Sequence, residues 1–460
     1  MLLTRERDFY RRFFALTLAI ALQNLVAFSV NLADNIMIGS YSEPALAGIA
    51  LVNQIQFLLQ MIVGGACEAV VILASRAWGR RDLSPVSSIN GVGMRFSLGV
   101  AAVLFSVSFA FPAQVLRLFT GESAVISEGM AYLRIVCFSY FFYAATSVLL
   151  ATLRSVETVR IGLAVSLFSL AVNIALNWIL IFGRFGAPEM GVRGAAVATV
   201  VSRAVELAVV IIYCVFIDKK LHLELADLLR QRTPGITRAF FRVGWPMILS
   251  GSTWGLAQGI QSAILGHLGQ SAISANSISS TLFQIVSVVA YGSANGTSVL
   301  IGKTIGEGRI DAVKTYARTV QILYLGIGLL TGSAMFLLKD LILRFYSLTP
   351  QSMAMARQFM TVLSVTAVGT AYQMPSLCGI VRGGGETDFV LYNDLIFQWL
   401  IVLPAAALFA FVWKLAPVFA FAALKSDQIL KCFVAVVKVN RFKWIKKLDE
   451  GQSPRPSKGD

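Results

Sequence analysis

The chain has 460 residues, 57% of them hydrophobic and 14% charged, with a formal net charge of +15. A mean hydropathy of +0.73 is too high for a soluble globular domain, so the positive charge is not read as a nucleic-acid surface. The uncharged stretches Phe96 to Leu116, Gly162 to Phe182 and Thr319 to Leu338 each reach the roughly 20 residues a helix needs to cross a bilayer, which predicts an all-α polytopic membrane protein.

In chain order, about twelve spans are predicted, at 13–36, 48–74, 91–112, 130–152, 161–183, 191–216, 244–266, 275–301, 317–338, 355–380, 389–411 and 415–437. The first runs straight into Asp34 and Asn35 with no small-residue cleavage site, so it is read as a span and not as a signal peptide. Basic residues crowd alternate loops: Arg5 to Arg12, Arg76 to Arg81, Arg154 and Arg160, Lys219 to Arg242, Lys303 to Arg318, and the tail from Lys431 to Lys458. The opposite loops carry chiefly Arg117, Arg184, Arg193, Lys339, Arg344 and Lys414, which by the positive-inside rule predicts that both termini are cytoplasmic in a cell (inner) membrane. The tail from Lys431 to Leu448, with Phe433, Phe442 and Trp444 among lysines, reads as a basic segment lying on the anionic leaflet.

The chain is built twice. Phe13 to Val86 lies on Phe240 to Val313 without a gap, so that Gly39 meets Gly266, Gly65 meets Gly292 and Gly79 meets Gly306; Arg154, Glu157 and Thr158 then fall on Arg382, Glu386 and Thr387 with one residue inserted in the later copy. Each copy has about six spans in the same orientation. The expected organisation is a first six-helix lobe at 1–216, a cytoplasmic linker at 217–243, a second lobe at 244–437 and a basic cytoplasmic tail at 438–460.

A charge at the bilayer centre costs about 2.5 to 3.5 kcal/mol on insertion scales, so acids within spans are the first candidates for function. There are four: Asp34, Glu68, Glu206 and Asp394. Glu206 lies one turn from Arg203, a pair that neutralisation and function explain equally well, and Asp394 follows the cytoplasmic Asp388 closely enough to reach water. At about 1.5 Å of rise per residue, Asp34, Asn173, Asn177 and Thr199 all fall in the outer half of the first lobe. Asn173 and Asn177 share one helix face, and Asn31 lies near the face of Asp34. Opposite Asp34 the second copy has Gln261, so the two copies differ in chemistry. Phe28, Glu68, Tyr140, Gln258, Gln261 and Tyr372 are the candidates for contact with a substrate. The single cysteines and the two histidines have no metal-ligand spacing, and neither a metal nor a cofactor is expected.

At these residues the chain resembles the multidrug and toxic compound extrusion (MATE) family of antiporters. The resemblance rests on Asn31-Leu-Ala-Asp34 followed by Ile38-Gly39, on Arg76-Ala-Trp-Gly79, and on Asn173-x-x-x-Asn177 before Gly191-Val-Arg-Gly-Ala-Ala-Val-Ala-Thr199. Gly244-Trp-Pro246, Ile301-Gly-Lys-Thr-Ile-Gly306 and Arg382-Gly-Gly-Gly-Glu-Thr387 continue it in the second half. It implies two six-helix lobes that alternate between inward-facing and outward-facing states, exporting amphipathic or cationic small molecules against protons or sodium. In the branch that resembles this chain, the aspartate at Asp34 carries the coupling ion beside the residues at Asn173, Asn177 and Thr199. Family members often have an aspartate at Asn177, and its loss removes one negative ligand from a sodium site. The acids that another branch places in spans seven and ten are absent here.

A lipid or polysaccharide-precursor flippase of the same superfamily is the alternative, although it would be expected to line its cleft with basic residues. A major facilitator would carry an acid where Arg76 stands, and an embedded enzyme would need clustered His, Cys or paired acids. The expected partners are a drug or metabolite, the coupling ion and the bilayer, with the chain acting as a monomer.

Overall fold

The computed structural model describes residues 3–218, 220–221, 235–344 and 349–446, so most of the expected linker and the tail beyond 446 lie outside the described residues. Among the described residues every regular element is a helix. By contact the chain divides into two compact units, Leu22–Ile248 and Leu249–Leu448 with Met1–Ala21.

The first half comprises α1 (Arg7–Gly39), α2 (Glu43–Gly79), α3 (Ser84–Ala110), α4 (Pro112–Arg117), α5 (Ser123–Val136), α6 (Ser139–Ser155), α7 (Arg160–Phe182) and α8 (Gly191–Ile212). The second comprises α9 (Ile236–Gly266), α10 (Gln270–Gly306), α11 (Ile310–Leu343), α12 (Pro350–Met374), α13 (Thr387–Leu395), α14 (Leu403–Ala407), α15 (Pro417–Lys425) and α16 (Asp427–Asn440). Among the described residues eight helices are long and apolar enough to cross a membrane, and α5 with α6, bent by 52°, makes a ninth if the pair is one span. The other expected spans, at 244–266, 355–380 and 415–437, fall on α9, on α12 with its extension, and on α15 with α16. Hydroxyl and amide side chains such as Ser250, Gln258, Gln261, Thr370 and Gln373 dilute the first two. The last is broken at Ser426 and carries Lys425, Asp427 and Lys431.

In the unit Leu22–Ile248, α2 packs against α3, α5 and α6. Its 37 residues rise about 55 Å, well beyond a hydrocarbon core of roughly 30 Å, so its ends stand in the polar layers. The pair α7 and α8 forms a hairpin that packs on α5 and α6 through α8. Gly183 caps α7 in the left-handed conformation, at φ 63°, which glycine adopts without strain. Gly194 sets the closeness of the two helices, because a Cβ there would stand 2.6 Å from the carbonyl oxygen of Leu180. Gly194→Ala is therefore expected to cost about 1–3 kcal/mol through overpacking. Thermal unfolding in detergent checks this, and an unchanged melting temperature would refute the close contact.

In the other unit, α12 packs against α10, α11, α15 and α16. Phe359 of α12 stacks on Phe421 of α15 with ring centroids 4.0 Å apart. Three wide π-helical turns, Pro375–Val381, Ile396–Val402 and Leu408–Val412, interrupt the last spans. Pro375 opens the first of them, where a proline has no N–H to continue the α-helical ladder.

The segment read as a surface-lying basic tail is partly interior. Lys431 is 6% exposed, and Trp444 is fully buried, donating from Nε1 to the carbonyl of Val439 at 2.8 Å. Lys438 and Lys446 pair with Glu386 at 2.9 and 3.7 Å, and the Lys446 amide donates to Gly384. The glycine run after Arg382 leaves the space that the indole fills, which is why a segment of amphipathic composition folds inward there.

Candidate functional site

Along α7 the side chains of Ser166, Ser169, Asn173 and Asn177 recur at helical spacing and form one polar stripe in an otherwise apolar span. α8 answers it with small residues, Gly194, Ala195 and Ala198, and with Thr199 and Ser202. The two hydroxyls donate to the carbonyls one turn back, Ala195 at 3.0 Å and Ala198 at 2.6 Å, so neither is left unpaired in an apolar setting. Ser169 ties the helices together by donating to the carbonyl of Ser202 at 3.4 Å.

The stripe faces Asp34 of α1. Asn177 Nδ2 donates to Asp34 Oδ1 at 2.5 Å and to Asn173 Oδ1 at 3.2 Å. Asn173 and Asn177 are 2% and 0% exposed, and among the described residues the buried Asn177 Oδ1 has no hydrogen-bond partner. Asp34, Asn173 and Thr199 line one cavity of about 50 Å³, together with Asn53 and Gln56 of α2, Tyr132 of α5 and Arg203 and Glu206 of α8. That volume admits a few waters or an ion, since one water needs roughly 10–15 Å³ of such space, and it is far too small for a drug-sized molecule.

Four sequence-predicted residues thus meet, Asp34, Asn173, Asn177 and Thr199, while the side chain of Asn31 lies outside the described residues. The predicted substrate contacts are not among the described residues that line this cavity. Phe28 is half-buried on α1, Tyr140 is fully buried on α6, and Glu68 of α2 pairs with Arg154 at 3.6 Å. Gln258, Gln261 and Tyr372 belong to the other unit, where Gln258 is half-buried, Gln261 accepts from Lys425 Nζ at 3.4 Å and Tyr372 donates to Gln321 at 2.8 Å.

Sequence reasoning missed Asn53, Gln56 and Tyr132 as neighbours of Asp34. The signal for the first two is a polar pair three residues apart within an apolar helix; Tyr132 gave none. It also missed a network in the second half. Asp394 accepts from Ser250 Oγ at 2.8 Å, from Lys431 at 2.9 Å and from Arg382 at 3.4 Å, and Lys431 also reaches Asp427 at 3.4 Å. Asp394, expected to reach water, is half-buried and is also held by two cations and a hydroxyl.

The chain is similar to known proteins over most of its length. A protein of Thermotoga maritima described as "Probable multidrug resistance protein NorM" is 24% identical over 92% of this chain and 91% of its own length. An "Uncharacterized transporter YisQ" of Bacillus subtilis is 23% identical over 86% of each chain. Among solved structures, an outward-facing multidrug resistance MATE family transporter superimposes with a TM-score of 0.85 at 18% identity, covering 95% of this chain and 98% of its own, which shows a shared fold of two six-helix lobes. The model of the MatE family matches residues 19–179 and 246–431, one stretch in each copy of the repeat. The chain therefore belongs to the MatE family and is a membrane transporter of the multidrug and toxic compound extrusion type.

Proposed function

We propose that the protein is a secondary active antiporter that exports amphipathic or cationic compounds by alternating access, in exchange for protons or sodium ions bound at Asp34. The observation that carries this reading is the ion-sized polar cavity around Asp34, whose other lining carboxylate, Glu206, is already paired with Arg203. Asn177 suits a carboxylate that gains and loses charge. Its N–H donates to the ionised form, and a carboxyl formed there still has a carbonyl oxygen that accepts from the same N–H. Loading the site removes a buried negative charge, which changes what α1, α7 and α8 gain by packing around it and so biases the exchange between two states.

In this reading the first lobe spans 1–216 and couples to the ion, 217–243 links the lobes, the second lobe spans 244–437, and 438–460 is a cytoplasmic tail. Both termini are cytoplasmic in the inner membrane, and a monomer suffices. Phe28, Glu68, Tyr140, Gln258, Gln261 and Tyr372 remain the residues proposed for substrate contact. The test is efflux of a fluorescent amphipathic cation from proteoliposomes under separately imposed pH and sodium gradients. At least one gradient is expected to drive it; flux driven by neither, with lipid scrambling in its place, overturns the proposal.

A further inference from the structure

Two charged residues share the cavity of Asp34 and have no part in the exchange described above. Arg203 Nη1 donates to Glu206 Oε2 at 2.7 Å, the guanidinium lies 5.5 Å from the ring centre of Tyr143, and Glu206 is 5% exposed. Both line the cavity with Asp34, whose other described lining residues are uncharged. With Asp34 ionised the lining carries two carboxylates and one guanidinium, a net charge of −1.

We propose that Arg203 determines the coupling ion by occupying Glu206, so that the site accepts protons and rejects sodium. This rests on the reading of Asp34 as the coupling residue. A hard cation is bound by several oxygens, and its affinity rises with the number of carboxylates among them. Glu206 is the second carboxylate that this cavity offers, and Arg203 stands on it where a bound cation would stand. The position at Asn177 adds no further charge, and its amide turns an N–H toward Asp34, a donor in a place where a metal ion needs a lone pair. A proton requires none of this. It binds one oxygen of one carboxylate, leaves the pair undisturbed, and the resulting carboxyl is neutral. Among the described residues Tyr132 also lines the cavity and Tyr143 lies against the guanidinium, and neither adds a carboxylate. Arg203 is thus a specificity-determining residue built into the helix that carries Thr199.

The test is binding of radioactive sodium to the purified full-length protein, with choline chloride holding ionic strength constant. Wild type is expected to bind no more sodium than Asp34→Asn does. Arg203→Gln frees Glu206 and is expected to bind sodium at least about tenfold more tightly, because two uncompensated carboxylates then face one cavity. Arg203→Lys, which keeps the cation, and the double variant R203Q/E206Q, which restores a single carboxylate charge, are both expected to lose that gain. Saturable sodium binding by wild type that Asp34→Asn abolishes overturns the inference, and this measurement does not depend on Arg203→Gln folding. A folded Arg203→Gln that gains no sodium binding also overturns it. Either result leaves the role of Asp34 standing; that role falls separately if Asp34→Asn retains gradient-driven efflux.

Discussion

Asp34→Asn is expected to reduce efflux to the level seen with no ion gradient, while the purified variant unfolds at the same temperature as wild type or higher. The two outcomes have one cause. The amide keeps the size of the side chain and can still accept from Asn177 Nδ2, so the contact between α1 and α7 survives. What disappears is a buried charge, and replacing such a charge by a neutral group of the same shape is often neutral or stabilising. A carboxylate whose hydrogen-bond partner is a neutral amide, with the nearby guanidinium of Arg203 already paired to Glu206, is a stability cost borne for activity. Efflux in everted vesicles and melting in detergent, measured on the same preparation, check both halves. Undiminished gradient-driven transport would remove Asp34 from the mechanism, and a large loss of stability would make the residue structural.

Lys431→Met should have the opposite signature, a loss of about 3–5 kcal/mol in stability, because it removes one partner of a buried ionic network and leaves the others uncompensated. Lys431 stands between Asp394 at 2.9 Å and Asp427 at 3.4 Å. Without it Asp394 keeps Arg382 and Ser250, but Asp427, 4% exposed, loses its ion pair and keeps, among the described residues, the amide of Gln428 at 3.0 and 3.1 Å and the more distant cation of Lys425. Adding Asp427→Asn to Lys431→Met is therefore expected to restore more than half of the loss, and a double-mutant cycle on thermal unfolding measures the coupling. A single variant that melts with wild type would mean that the network stabilises nothing.

The helices were legible because bilayer thickness imposes a length on apolar runs, and Asp34 because a lone acid in such a run is costly enough to need a reason. The stripe of Asn173 and Asn177 followed from helical periodicity. The cluster at Asp394 was hidden because its members come from α9, the turn before α13, α13 and α16, and no single segment shows the pattern. Asp388, six residues earlier, made solvent access the simpler reading of Asp394. Lys431 was grouped with the basic tail because a lysine at the end of an apolar run looks the same in sequence whether it reaches water or a buried acid. The glycines Gly183 and Gly194, visible as letters, gave no hint that one caps α7 and the other sets its distance to α8.

The π-helical turn at Pro375–Val381 bears on the history of the chain. The two copies are offset by 227 residues at Phe13 and Phe240 but by 228 at Arg154 and Arg382. The first copy reaches its arginine through unbroken α-helix in Ser139–Ser155, whereas the second reaches it directly after the wide turn. A π turn spans one residue more per hydrogen bond than an α turn, so it is where an inserted residue can be absorbed without a loop. The first of the two residues gained by the later copy, whose offset reaches 229 at Glu157 and Glu386, thus has a natural resting place, and what looks like a local irregularity of the helix is consistent with a scar of divergence after the gene was doubled.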